Sequence, residues 1–470
     1  MIPGKLHLRL KSLWSDIRES VQGTEQDFTT GRISRAILLL SIPMVLEMVM
    51  ESVFALVDIF FVSRLGPGAV VTVGITESLL TIIYALAVGF SVGTTALISR
   101  RIGEKNSEGA AVGAVQAILV GIMMAVVIGI TGAVFSKDFL RLMGATPDIV
   151  ESGYMYTRIM LGGNIVIMLL FIINAVFRSA GDAAISMRVL WIANIINIIL
   201  DPCLIFGWGP FPELGIKGAA VATNIGRGLA VVYQLFLLFR GRGRVKILSK
   251  HLRFNFTVMG KLIRLSLGGI GQNIIATSSW IGMVRIIAVF GSNVLAGYTI
   301  AIRIIVFALL PAWGLGNAAA TLVGQNLGAN KPDRAERSVW LAGYANMIFL
   351  GLIALFLIIN PAFFIKLFID NEQVINAGAT CLRIVSYGFL FYGMGMIVIQ
   401  ALNGAGDTMT PTKINFFCFW LLEIPLAYLL AITIGIQEKG VYISIVVSES
   451  VMTLAGLYFF RLGKWKLKKV

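Results

Sequence analysis

The sequence predicts an all-α polytopic membrane protein, with twelve transmembrane helices forming two six-helix lobes related by a pseudo-two-fold axis. Three observations predict this. Of 470 residues, 57% are apolar and 13% are charged, about half the roughly 25% charge of an ordinary soluble domain. The apolar residues form long continuous runs separated by short polar loops. Motifs of the first half return in the second at a nearly constant spacing.

Composition removes several classes at once. Mean hydropathy is +0.86, and a soluble chain of that balance would expose large apolar patches and aggregate. A disordered chain is excluded by the same apolar content. A transmembrane β-barrel needs alternating segments of ~10 residues, which the runs here are not. Glycine is abundant, at 50 residues, which suits close helix packing in lipid. Cys203, Cys381 and Cys418 lie scattered in apolar segments, with no disulfide framework or metal-ligand spacing.

A spanning helix needs ~20 largely apolar residues. The expected spans are 36–62, 69–98, 110–135, 149–176, 184–206, 217–239, 262–290, 294–322, 338–359, 376–402, 412–434 and 440–461. Residues 1–35 are polar and lack the apolar region of a signal peptide; Trp14 marks a candidate interfacial stretch. The chain therefore divides into an N-terminal segment 1–35, a first lobe 36–240, a basic linker 241–261, a second lobe 262–461 and a basic tail 462–470.

Net charge is +15, and its placement carries the information. Lys and Arg concentrate in the N-terminal segment, in the loops around Arg100, Arg178 and Arg334, in the linker and in the tail. Such a bias places both termini and the linker in the cytoplasm, with the chain in the cell (inner or plasma) membrane. It is a topology signal, so no nucleic-acid partner is expected.

The repeat is legible at three places. Ser179-Ala180-Gly181-Asp182 is echoed by Gly404-Ala405-Gly406-Asp407, Leu40-Ser41-Ile42 by Leu265-Ser266-Leu267, and the stretch from Gly93 to Lys105 by that from Gly316 to Lys331. Six helices per unit is an even number, so the two units share one orientation about an axis along the membrane normal.

Several motifs look chemical without being so. Gly89-Phe90-Ser91-Val92-Gly93 fits a nucleophile elbow, yet the chain's two histidines, His7 and His251, lie in basic loops. Gly314-Leu315-Gly316-Asn317-Ala318-Ala319 resembles a dinucleotide fingerprint but lies inside an apolar span. There is no P-loop, so ATP is not the expected energy source. An enzyme is not expected, and neither is a cofactor.

Ionisable residues at bilayer depth are costly and point to function. Span one carries Glu47, Glu51 and Asp58. At about 100° per residue, Glu51 lies about 40° and Asp58 about 20° from Glu47, a stripe about 16 Å long on one face. Glu47 and Glu51, with Met48 and Phe54 as an adaptable apolar wall, are the expected lining of a substrate cavity. Span five carries Asn197 and Asp201 at i, i+4, on one face. Span six carries Thr223 after Gly218-Ala219-Ala220. Asp58, Asp201 and Thr223 all lie about five or six residues from outer loops, hence at similar depth. Their oxygens suit a proton or a hard cation such as Na⁺. At the repeat spacing Asp58 maps to Met283, Asn197 to Leu422 and Asp201 to Leu426, so the site is confined to the first lobe. Arg227, Arg285, Arg303, Arg158, Arg383 and Glu77 are expected to lie near span ends, snorkelling, or to be paired.

At these residues the chain resembles the multidrug and toxic compound extrusion (MATE) family. The resemblance covers about 36–461. It is carried by Ile42-Pro43-Met44 leading to Val57-Asp58-Ile59-Phe60-Phe61-Val62, by Arg178-Ser179-Ala180-Gly181-Asp182, and by Asn197-Ile198-Ile199-Leu200-Asp201-Pro202. Gly215-Ile216-Lys217-Gly218-Ala219-Ala220-Val221-Ala222-Thr223 and Gln400-Ala401-Leu402-Asn403-Gly404-Ala405-Gly406-Asp407 add to it. The resemblance implies a V-shaped cavity between two lobes and extrusion of organic, often cationic, compounds in exchange for Na⁺ or H⁺. It implies that Asp58, Asn197, Asp201 and Thr223 form the first-lobe coupling site of the DinF-like and archaeal branch. The NorM-type branch has acidic residues in spans seven and ten, which this sequence lacks. The expected function is therefore an ion-coupled multidrug antiporter working by alternating access as a monomer. The alternative is a flippase of a lipid-linked oligosaccharide or other amphipathic substrate, for which Arg285 and Arg303 would supply the basic lumen.

Overall fold

The computed structural model describes residues 14–23 and 26–470; the basic residues Lys5, Arg9 and Lys11 lie outside them. The described chain is helical, with no strand among the described residues. Span one is Ile33–Ser63, span two Pro67–Gly103 and span three Ser107–Val134. Span four, Pro147–Ala180, is interrupted at Gly163. Spans five and six are Ala183–Phe206 and Ile216–Arg240, seven and eight Phe256–Phe290 and Ser292–Gly328, and nine Pro332–Ile359. Span ten joins Glu372–Ser386 to Phe389–Gly404 through a 57° bend, span eleven is Met409–Thr433, and span twelve Glu438–Arg461. Ten of these helices are long and apolar enough to cross a membrane, and the bent pair makes eleven. Span one, 31 residues long, is about 46 Å from end to end and completes the twelve.

Several helices overrun the expected spans, by less than two turns at any one end. Span two reaches Gly103 because its last turn is packed against the other lobe: Arg100 is buried there. Hydropathy marks where lipid contact ends, and protein contact continues past it.

The duplication is written into the backbone. Gly66 and Gly291 have φ of 97° and 100°, Gly181 and Gly406 have 97° and 86°, and Lys105 and Asn330 both have 57°. Gly215 and Gln437, each just before the last helix of its lobe, have 58° and 59°. The interruption at Gly163 matches the bend at Gly388, and the short helices Ser136–Leu142 and Pro361–Lys366 match each other. A left-handed residue costs a non-glycine side chain roughly 1–2 kcal/mol. Its recurrence at non-glycine positions shows that the turn geometry is a requirement of the lobe.

The lobes meet in the half of the molecule nearest the basic loops, which we call the basic face. A Cβ on Gly103 would stand 2.0 Å from the backbone oxygen of Gln325, one on Gly328 would stand 2.2 Å from that of Arg100, and one on Gly89 would stand 2.3 Å from the nitrogen of Ile270. Spans two, seven and eight thus cross backbone to backbone. Towards the opposite face, residues such as Ile82, Ile274, Trp280 and Val306 are exposed.

Two straps lace this basic face. In the first, residues 26–32 run from a short helix over 14–22 into span one. Asp27 holds a tight turn by accepting from the Thr29 amide (2.8 Å) and hydroxyl (2.6 Å). Burial pushes the Asp27 carboxyl up, but those two hydrogen bonds with Lys105 and Lys331 outweigh it and hold the group below its usual range. Phe28 is buried among second-lobe residues Leu322, Val323 and Val339. Arg334 of span nine donates to the carbonyls of Phe28, Thr30 and Gly31, and Lys331 to that of Thr29. Arg244, which follows the first lobe, stacks on Phe28 at 5.0 Å. The second strap is the tail. Trp465 is buried, stacked on Phe460, and donates to its carbonyl at 2.8 Å. Beyond it, Arg100 of the first lobe donates to the Lys468 carbonyl at 2.9 Å, and Arg101 to that of Val470 at 3.2 Å.

Candidate functional site

The polar residues of the first lobe are brought together by close packing of spans five and six. A Cβ on Gly218 would stand 2.2 Å from the Leu204 oxygen, and one on Gly226 would stand 2.9 Å from that of Ala193. Gly218, Ala222 and Gly226 recur every fourth residue and form the smooth face that permits this approach. Thr223, beside Ala222, is carried against Asn197.

The result is a sealed cluster. Asp201 is fully buried, Asn197 is 3% exposed and Thr223 6%. With its amide oriented to satisfy both neighbours, Asn197 donates to Asp201 Oδ2 at 3.0 Å. Its Oδ1 then accepts from the Thr223 amide at 3.0 Å and hydroxyl at 3.3 Å. These partners of the Asp201 carboxylate are neutral. Asp58, half-buried on span one, makes no hydrogen bond or ion pair among the described residues, and its charge is felt at Asp201. Tyr156 of span four, buried, lies in the field of both carboxylates. The four expected coupling residues are therefore one neighbourhood, with Asn197, Asp201 and Thr223 in direct contact.

Nearer the basic face lie two further layers. Glu51 accepts from Arg227 Nη2 at 3.2 Å and from Asn194 Nδ2 at 3.4 Å, and Arg227 Nη1 donates to Tyr84 Oη at 3.0 Å. Phe54 lies under the Arg227 guanidinium at 5.3 Å. Glu47 is 1% exposed and accepts from Arg178 at 2.6 Å and Asn174 at 3.3 Å. Gln234 donates to Asn174 in turn. The structure thus brings Glu51 and Phe54 beside the cluster, leaves Met48 half-buried, and places Glu47 inside the lobe against Arg178.

Arg227, Tyr84, Asn194 and Arg178 were not expected to belong here. Arg227 lies one turn from Thr223 and faces inward, 5% exposed and paired with Glu51, the second of the two dispositions expected of it. Its spacing of four from Thr223 was the available signal. Of the second-lobe carboxylates, Glu423 is buried at the end of a π-helical stretch, Phe416–Glu423, and accepts from Ser279 at 3.1 Å. Among the described residues no three His, Cys, Asp or Glu side chains converge to hold a metal.

Charge balance states what the first-lobe arrangement can do. Four carboxylates, Glu47, Glu51, Asp58 and Asp201, face two guanidinium groups, and each guanidinium is paired to one of the first two. Asp58 and Asp201 make no ion pair among the described residues. Isolated buried carboxylates are strongly unfavourable, so this pair is chemically fitted to take up protons or a small cation.

Two lobes of six spanning helices, with polar and charged residues buried inside the first, are the architecture of a multi-pass membrane transporter. The chain belongs to the MatE family, whose pattern matches residues 43–203 and 270–429. It is 27% identical to the probable multidrug resistance protein YoeA of Bacillus subtilis, over 93% of this chain and 95% of that one. It is 28% identical to the FAD transporter of Shewanella oneidensis, over 91% and 94%. Its fold matches a MOP-superfamily transporter from Pyrococcus furiosus described as having a reversed binding-pocket polarity, with a TM-score of 0.87, 26% identity, and coverage of 96% and 99%. An outward-facing MATE multidrug resistance transporter matches at a TM-score of 0.88 and 25% identity, covering 96% and 99%.

Proposed function

We propose that the protein is an ion-coupled multidrug efflux antiporter. It exports small organic, cationic or amphipathic compounds in exchange for Na⁺ or H⁺ by alternating access. The basic face is then cytoplasmic, in the cell membrane, and the chain acts as a monomer. The observation that carries this reading is the two carboxylates Asp58 and Asp201, which make no ion pair among the described residues, one of them sealed with neutral partners only. Such a site is stable when loaded and costly when empty, which is the property that couples ion movement to a change of state. Its position in the first lobe supports the DinF-like arrangement. Pro43 removes one backbone hydrogen bond from span one, giving the helix that carries Asp58 a place to bend.

The test is efflux of a fluorescent organic cation from proteoliposomes under a Na⁺ gradient and a pH gradient imposed separately. One gradient drives export, and Asp201→Asn reduces it to the level of empty liposomes while the protein stays monodisperse. Gradient-driven export retained in Asp201→Asn overturns the site. A second reading, movement of an anionic amphipath, is favoured by the exposed Arg285 and Arg303 on spans seven and eight. Transport of a lipid-linked pyrophosphate, with no export of the cation under either gradient, would establish it.

A further inference from the structure

The two guanidinium groups buried in the first lobe are held differently. Arg178 grips Glu47 at 2.6 Å, and its backbone carbonyl also accepts from Thr321 of the second lobe at 3.4 Å. It is framework. Arg227 is held more loosely. Its bond to Glu51 is 3.2 Å, its other anchor is the phenol of Tyr84, and its flat face rests on Phe54. The aromatic contact is compatible with movement, since a guanidinium can slide over a ring without losing a fixed hydrogen bond. Glu51 has a second donor, Asn194, which would remain if Arg227 left.

Arg227 also has a second carboxylate within reach of its charge. Glu51 and Asp58 are seven residues apart on span one, two turns and about 10 Å along the same face. Arg227 is paired with the first, and its charge is felt at the second. It lies one turn from Thr223, on the same helix. Glu77 on span two adds a further negative charge near Asp58, and itself feels Arg303 of the second lobe.

We propose that Arg227 is a tethered counter-ion that moves between Glu51 and Asp58 as the coupling ion enters and leaves. With the ion bound, Arg227 stays on Glu51. When the ion departs, Asp58 attracts the guanidinium, and Glu51 is left on Asn194. An empty pair of carboxylates in a low-dielectric lobe would otherwise hold its ion too tightly to release it. A cation built into span six competes with the ion, weakens its binding and so permits exchange. The proposal rests on the reading that Asp58 and Asp201 hold the coupling ion.

The test is calorimetric titration of the purified full-length chain with Na⁺, and in a second arm with acid, on wild type, Asp201→Asn, Arg227→Lys and the charge-balanced pair Glu51→Gln/Arg227→Met. The double substitution avoids stranding a buried charge. It is expected to bind the coupling ion roughly tenfold more tightly, a shift within the usual range of site-to-site coupling. Arg227→Lys is expected to restore the wild-type affinity, and Asp201→Asn to abolish the binding. Unchanged or weaker binding in Glu51→Gln/Arg227→Met, with Asp201→Asn still null, overturns the tethered counter-ion and leaves the ion site standing. Binding that survives in Asp201→Asn overturns the ion site itself.

Discussion

Arg178→Met is expected to destabilise the protein by about 3–5 kcal/mol, the cost of stranding one partner of a buried ion pair. Glu47 is 1% exposed, Arg178 supplies its 2.6 Å bond, and the second Glu47 oxygen has no hydrogen-bond partner. Without Arg178 the carboxylate keeps only Asn174. The pair also anchors three elements: span one just above Pro43, the end of span four, and, through the Arg178 carbonyl, span eight. Glu47→Gln/Arg178→Met removes both charges and is expected to recover more than half of the loss. Thermal unfolding in detergent, read as the midpoint of each variant, checks both. A single variant that unfolds at the wild-type temperature would show that the pair does not hold the lobe together.

Gly103→Val is expected to drive the lobes apart at the basic face. A Cβ there meets the Gln325 carbonyl at 2.0 Å, and the facing Gly328 is equally tight against Arg100. Both obstacles are backbone, so no side chain can swing away. Overpacking of this kind typically costs about 1–3 kcal/mol, enough to reverse the populations of two states separated by a similar amount. Spin labels at the exposed positions Ser107 and Asp333, one on each lobe, report the result by pulsed electron resonance. The expected outcome is a longer distance in Gly103→Val, and gradient-driven export falls with it. An unchanged distance distribution would refute the close crossing as the element that sets the closed state.

Much of this was legible from residues alone. Continuous apolar runs located the spans, because lipid contact selects for hydropathy along the whole helix. The recurrence of Ser179-Ala180-Gly181-Asp182 at Gly404-Ala405-Gly406-Asp407 located the duplication, and the matched left-handed φ values at Gly181 and Gly406 show its physical reason. Asn197, Asp201 and Thr223 were recognisable because short polar side chains in an apolar span have few tolerable positions. Longer side chains were harder to place. Arg227 can reach towards a span end or inward, and only its partners on spans one and two decide between them. Glu47 shares a helical face with Glu51 and Asp58, which suggested a cavity lining. That face turns out to be covered near the basic face by spans four and six. Helical periodicity fixes an angle about one axis and is silent about what the neighbouring helix brings to it. The straps are less legible again, because Arg334 and Lys331 bind backbone carbonyls, which every residue presents alike.

Those straps carry a kinetic consequence. Each ties one lobe to chain belonging to the other, so parting of the basic face begins as sequential peeling and not as one rigid separation. The contacts differ in their response to the medium. Lys468 meets Asp407 at 3.1 Å while itself half exposed, and dissolved salt weakens such a pair. The carbonyl bonds made by Arg100 to the tail and by Arg334 to the N-terminal strap are shorter-ranged. Ionic strength should therefore loosen the Lys468 side-chain contact and leave the main-chain bonds of both straps in place. The dwell time of the closed state would then be set by a few main-chain oxygens at the rim, far from the buried first-lobe cluster.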